Sequence, residues 1–260
     1  MTDQRLVETP HGRVSYVESG SGKPLVILHS LLTDRRAFDG VIPFLPGRVI
    51  ALDLPGHGQS HRSDPSIEAF ADQMAAAVAE ICPEPATVMG NGLGSFVALG
   101  LAIRHSELVD RLVLVGAGST FPEQARPAFD NMAQLVESSG LAAVAPTALR
   151  RIFTEGYLET HPEEAAERTR ALETGDPEVF VAACRAIQNV DFTEEARNVS
   201  VPTLIVVGEE DQATPPEMAT ALAALLADAR VVVLPGIAHA PQLQDPRGFI
   251  DTISGFVEGA

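Results

Sequence analysis

Four short apolar runs, residues 25–28, 48–52, 87–89 and 112–115, are each bounded by Gly, Pro or Asp and separated by stretches long enough for a helix. Parallel strands need crossover connections of a dozen residues or more, so a chain with this alternation is confined to βαβ units and a largely parallel sheet. The clearest crossover carries Phe70, Met74, Val78 and Ile81, whose spacing puts all four on one stripe of a helix. Ahead of the first run, residues 6–8 and 14–17 flank a His11-Gly12 turn and predict an opening hairpin. The alternation stops near Phe121 and resumes after Pro202 with a strand at 203–207, a helix over 216–227, a strand at 231–234 and a final helix over 246–257. The expected fold class is α/β, a mostly parallel doubly wound sheet of eight strands, with residues 1–120 and 199–260 forming one core. Residues 121–198 are expected to form a small helical cap inserted after strand six, about four short helices broken at Gly140, Pro146, Gly156, Pro162 and Gly175. Its helical spacing is carried by Phe129, Met132, Leu135 and Val136.

Composition narrows the function classes. With 18 basic and 35 acidic side chains the formal charge is −17, so the summed field repels phosphate backbones and anionic lipid. Nucleic acid and membrane are excluded as expected partners, which leaves a small-molecule substrate; a homodimer stays open. Cys82 and Cys184 are the only cysteines, too few for a disulfide framework or a zinc cage. Lys23 is the sole lysine and lies in a GSGKP turn, which removes Schiff-base chemistry and Walker-type phosphate loops. No metal or cofactor is expected. The first ten residues are polar, and no apolar run reaches the roughly 20 residues that span a bilayer, so the expected location is the cytoplasm.

After the run ending at Met89 comes Gly90-Asn91-Gly92-Leu93-Gly94-Ser95, then an apolar stretch to about Arg104. A strand, a five-residue glycine pattern and a helix are the context of a nucleophile elbow, in which G-x-S-x-G holds a serine on a strained turn. Here Gly92 stands at the central position: the scaffold is present and the hydroxyl is absent. A dinucleotide-binding loop would show G-x-G-x-x-G near the start of its fold, whereas this motif is G-x-G-x-G after about the fifth strand.

Four further segments follow strand ends: Leu28-His29-Ser30-Leu31-Leu32, Asp53-Leu54-Pro55-Gly56-His57-Gly58-Gln59-Ser60, Gly208-Glu209-Glu210-Asp211 and Gly236-Ile237-Ala238-His239. With the glycine turn, and in this order, they resemble the α/β-hydrolase superfamily over essentially the whole chain, and the short cap resembles the 3-oxoadipate enol-lactonase branch. The resemblance implies that Asp211 is the triad acid and His239 the base, with Glu209 and Glu210 beside the acid. It implies an oxyanion hole from the backbone N–H groups of Leu31 and Leu93. His29, His57 and Asp53 match positions that brace loops, while His11, His61, His105 and His161 are expected at the surface. Where the superfamily usually has Gly, this chain has Ser30, whose hydroxyl could donate a hydrogen bond to substrate; Asn91 is a second substrate-binding candidate. Arg126, Arg150, Arg151 and Arg185 of the cap could clamp a carboxylate.

Three readings are open for such a site. In the first, the Asp211-His239 dyad activates water or removes a substrate proton, without a serine nucleophile, on a small ester, lactone or other carbonyl compound. In the second, the chain is a serine esterase or lactonase whose nucleophile has been replaced by Gly92. In the third, the pocket binds a ligand without turnover. Ser95 lies nearly one helical turn beyond Gly92 and is expected to face helix packing; Cys184, in the cap, reads as a buried inert thiol.

Overall fold

The computed structural model describes residues 4–259. Eight strands form one sheet: β1 (Arg5–Val7), β2 (Val14–Gly20), β3 (Pro24–Leu28), β4 (Arg48–Leu52), β5 (Ala86–Asn91), β6 (Val109–Val115), β7 (Thr203–Gly208) and β8 (Ala229–Leu234). Their order across the sheet is β1-β2-β4-β3-β5-β6-β7-β8. Only β2 runs against its neighbours, pairing antiparallel with β1 and β4; every other pair is parallel. The sheet is therefore α/β, mostly parallel and covered on both faces, as the alternation predicts.

Between the strands run α1 (Ile67–Ile81) and α2 (Leu93–Arg104). The segment between β6 and β7 carries five α-helices: α3 (Pro127–Ser139), α4 (Ala145–Ile152), α5 (Glu155–Thr160), α6 (Pro162–Glu173) and α7 (Pro177–Gln188). The chain ends with α8 (Pro216–Ala223), α9 (Pro241–Gln244) and α10 (Pro246–Glu258). Proline occupies the first turn of each of α3, α4, α6 and α7, where its missing N–H costs no hydrogen bond. That is why five helices fit where the glycine and proline punctuation alone predicts about four: Pro146 and Pro162 start helices as well as ending what precedes them. No helix among the described residues is long and apolar enough to cross a membrane.

Side chains alternate across the strands, and the alternation divides the core. Leu25, Ile27, Val49, Ala51, Met89, Val113 and Val206 face Phe249, Ile253 and Val257 of α10. Val26, Leu28, Ile50, Leu52, Val88, Leu112 and Ile205 face the other way, toward Phe70, Met74 and Val78 of α1 and Phe96, Val97 and Leu101 of α2. The strands thus read as continuous apolar runs because both faces are covered. In α3 the residues Phe129, Met132 and Val136 are buried, but Leu135 is 38% exposed. At about 100° per residue it falls off the stripe, which corrects its assignment to the packed face.

The helical segment is tied to the C-terminal end of the sheet. The Ala240 N–H donates to the Ile152 carbonyl at 3.3 Å, and the Tyr157 hydroxyl donates to the Leu243 carbonyl at 3.3 Å. Arg62 pairs with Asp176 and Glu178 at the start of α7.

Candidate active site

The turn from β5 into α2 is held by glycine for three separate reasons. A Cβ on Gly90 would run into the Gly94 carbonyl, and one on Gly94 into the Leu28 and His29 carbonyls, all backbone that cannot move aside. Gly92 has φ 54° and ψ −117°, a conformation in which any L-side chain is strained. A Cβ there would meet Ser30 Oγ and lie 2.6 Å from His239 Nε2. The turn therefore has the backbone of a nucleophile elbow, and its side-chain space is already filled by neighbours.

His239 and Asp211 come from the loops after β8 and β7. The His239 Nδ1–H donates to Asp211 Oδ2 at 2.8 Å, with both side chains almost fully buried. The carboxylate is held from the other side by its own loop. Its Oδ1 accepts from the Ala213 and Thr214 N–H groups at 2.8 and 2.9 Å, and Thr214 Oγ1 donates to Oδ2 at 2.9 Å. Burial pushes the Asp211 carboxyl up, but the facing His239 and these hydrogen bonds outweigh it and hold the carboxyl below its ordinary value. With Nδ1 committed to the carboxylate, His239 turns Nε2 to the space above Gly92, where Ser30 Oγ lies 3.4 Å away.

Around that nitrogen is a cavity of about 30 Å³, room for roughly two water molecules. Ser30, Leu31, Gly92, Leu93, Thr214 and His239 form its floor, and Phe121, Phe129, Met132, Arg151 and Ile187 its roof. Among the described residues the Leu31 and Leu93 N–H groups donate to no protein acceptor, and both residues border the cavity. A second, open cleft of about 430 Å³ adjoins at Leu31 and Leu32 and runs between the loops after β3 and β4 and helices α6 and α7. Its three arginines are paired with acids, Arg35 with Asp53, Arg36 with Asp34 and Arg168 with Glu167.

The structure separates the remaining candidates. Asn91 does not line the cavity. Its Nδ2 donates to the His239 carbonyl at 3.0 Å and its Oδ1 accepts from Gln242 Nε2 at 3.0 Å, so it anchors the histidine loop. Arg126 is turned onto the Phe121 carbonyl and Thr120, Arg150 is exposed and Arg185 pairs with Glu137; only Arg151 of the four reaches the cavity wall. Glu209 and Glu210 are exposed, and Glu209 accepts from the Gly236 N–H, so the groups supporting Asp211 are Ala213 and Thr214. Thr214 went unread in the sequence although Asp-x-x-Thr is a recognisable turn in which the acid caps the following amides. Ser95 Oγ donates to the Gly92 carbonyl at 2.7 Å, inside the helix packing. Burial raises the Cys184 thiol to about 12. His105 is half-buried, not surface, because Asp72 binds its Nε2 at 2.7 Å.

Of the two loop histidines, His29 braces, while among the described residues the ring of His57 bonds only to the Pro55 carbonyl of its own loop at 3.3 Å. The His29 Nδ1–H donates to the Ser30 carbonyl at 3.0 Å, while its Nε2 accepts from the Leu54 N–H at 3.1 Å, tying the loop after β3 to the loop after β4. Asp53 accepts from Ser15 Oγ at 2.6 Å and from Arg35.

Compared with known proteins, residues 23–246 match the family model of the alpha/beta hydrolase fold. Pimeloyl-[acyl-carrier protein] methyl ester esterase of Neisseria meningitidis serogroup C is 33% identical over 251 residues, covering 91% of this chain and 94% of the relative. The 3-oxoadipate enol-lactonase 2 of Acinetobacter baylyi is 28% identical over 196 residues, covering 73% and 72%. Among solved structures, the enol-lactonase from Burkholderia xenovorans LB400 superposes with a TM-score of 0.91 at 25% identity, covering 98% of this chain and all of that one.

Proposed function

We propose that this chain, which belongs to the alpha/beta hydrolase fold family, hydrolyses small carboxylic esters or lactones. In this reading His239 is the general base and acid, Asp211 fixes its tautomer and stabilises the imidazolium, and the Leu31 and Leu93 amides receive the negative charge that develops on the carbonyl oxygen. Residues 121–198 act as a cap that roofs the site and excludes water.

The observation that carries the proposal is the arrangement around His239. One ring nitrogen is bonded to a buried carboxylate at 2.8 Å, and the other faces a cavity bordered by two backbone amides that have no protein acceptor. The apolar roof of Phe121, Phe129, Met132 and Ile187 suits a small hydrocarbon portion of substrate, and Arg151 stands where a substrate carboxylate would meet it. The named esterase and enol-lactonase relatives support the substrate class, since both act on a carboxylic ester linkage by name.

The test is turnover of short p-nitrophenyl esters and five- or six-membered lactones by the parent chain and by His239→Ala. The expected result is hydrolysis that falls by about 10³-fold or more in the variant with the melting temperature retained. Equal rates in the two proteins would refute the role of His239. A parent that is inert yet melts higher with an added ligand would favour a binding protein.

A further inference from the structure

We propose that the attacking nucleophile is the hydroxyl of Ser30, so that Ser30, His239 and Asp211 form the triad and the serine is delivered from the loop after β3 instead of the turn after β5. The inference rests on the hydrolase reading above and identifies the oxygen that His239 activates.

Space is the first argument. A side chain at position 92 would begin where Ser30 Oγ already lies, so the Ser30 hydroxyl occupies the volume into which an elbow residue projects. Bonding is the second. Ser30 Oγ is 3.4 Å from His239 Nε2, which is its sole side-chain or backbone partner among the described residues. That distance exceeds the roughly 2.6–3.2 Å of a working proton transfer, and such contacts are commonly long without substrate and tighten with it. Because Asp211 holds Nδ1–H, Nε2 is the nitrogen free to take the hydroxyl proton.

The third argument is that the loop is fixed from below. The Ser30 N–H donates to Thr33 Oγ1 at 3.3 Å, and the Ser30 carbonyl accepts from the Thr33 N–H at 3.4 Å and from the His29 Nδ1–H at 3.0 Å. The side chain is 2% exposed and borders the cavity, so its hydroxyl has little to do but face His239. The oxyanion donors remain beside the nucleophile: Leu31 now follows it in sequence, and Leu93 borders the same cavity.

The reaction balances without any further reagent. Ser30 Oγ bonds to the carbonyl carbon as its proton passes to His239 Nε2, and the oxyanion collects on the Leu31 and Leu93 amides. Collapse breaks the bond to the alkoxide, which leaves as the alcohol with the proton from His239. The acyl-Ser30 ester is then attacked by water, whose proton goes to His239 and is returned to Ser30 as the carboxylic acid departs.

The experiment combines a fluorophosphonate, which bonds to an activated serine oxygen with loss of fluoride, and p-nitrophenyl acetate turnover. Peptide mapping of the labelled parent chain should place one adduct on Ser30. Ser30→Ala should lose the adduct and about 10³-fold of kcat/KM while melting close to the parent. Labelling of the unmodified chain needs no variant, so the proposal remains exposed even if Ser30→Ala folds poorly. An adduct elsewhere, an active parent that takes no label, or a Ser30→Ala protein with parental turnover overturns it. In that last case a dead His239→Ala leaves the hydrolase reading standing with water as nucleophile, whereas an active His239→Ala removes that reading as well. A parent chain that neither turns over nor takes the label overturns both.

Discussion

Two turns lie against each other at the C-terminal edge of the sheet, and they divide between them what a nucleophile elbow usually combines. The turn after β5 has the strained backbone, the Leu93 amide at a helix start and no reactive side chain. The loop after β3 has ordinary backbone at Ser30, a hydroxyl beside His239 and three local hydrogen bonds that hold it. Strain at the first is set by packing, because glycine at 90 is required by the Gly94 carbonyl of the same turn and glycine at 94 by the Leu28 and His29 carbonyls that lead into the loop carrying Ser30. Geometry and chemistry are therefore separable: the elbow backbone positions an amide, and the hydroxyl can come from any neighbour that reaches the same volume.

The largest effect that would sharpen this contrast is expected at Gly94. Gly94→Ala drives a methyl into the Leu28 and His29 carbonyls, and overpacking against backbone should cost about 3 kcal/mol or more, read as loss of soluble protein or a collapse of the denaturant midpoint. Ser30→Ala in the adjoining loop should leave stability within about 1 kcal/mol. If both variants melt alike, the division between a packing turn and a chemical loop is wrong.

Next comes Asn91, which sequence placed among substrate contacts and the structure places behind the histidine loop. Asn91→Leu removes a buried donor to the His239 carbonyl and strands Gln242, so a loss of about 1–3 kcal/mol is expected together with reduced kcat. An unchanged melting curve with only KM raised would return Asn91 to the substrate. Thr214→Val should be milder in stability, about 1 kcal/mol, because the Thr214 amide still binds Asp211. Its signature is a fall in kcat with little change in KM, as expected of a group that positions the acid.

The remaining effect develops only as the pH falls and concerns the loop histidines. Burial lowers His29, and burial together with the neighbouring His29 lowers His57 to about 3. Both take protons more readily when unfolded, so their contribution is complete above the ordinary histidine value of about 6.5 and declines as the pH falls below it toward the folded values. The midpoint should be flat above about pH 7 and slope downward from pH 6.5 to 4, less steeply in His57→Gln. Asp211, held below its ordinary value, adds its loss only at more acid pH, as the pH falls through its folded value.

How much of this was legible in the sequence follows from how local each signal is. Strand and helix alternation depends on side-chain periodicity, so the eight strands were readable, although β5 and β6 extend beyond their purely apolar stretches because Asn91 pairs with Val115, and Val109 and Arg111 pair with Ala86 and Thr87 on either side of an irregularity at Asp110. The pairing of Asp211 with His239 was implied by the family resemblance of the loops after β7 and β8. What escaped depends on contacts between distant segments: Ser30 with His239, 209 residues apart, Asn91 with His239, 148 apart, and the directions of Arg126, Arg151 and Arg185. No periodicity encodes which way a lone polar side chain turns once the chain is packed.

The most direct test of the divided elbow is an exchange of the hydroxyl between the two turns, followed by kcat/KM on p-nitrophenyl acetate. Gly92→Ser alone should lose activity, since its Cβ meets Ser30 Oγ and crowds His239 Nε2. Ser30→Ala alone should be dead. The double variant Ser30→Ala with Gly92→Ser frees the space that Ser30 Oγ fills and returns the hydroxyl to the turn after β5, so it should recover at least about 10-fold over Ser30→Ala. A Ser30→Ala protein with full activity, or a folded double variant no better than Ser30→Ala, would contradict the exchange.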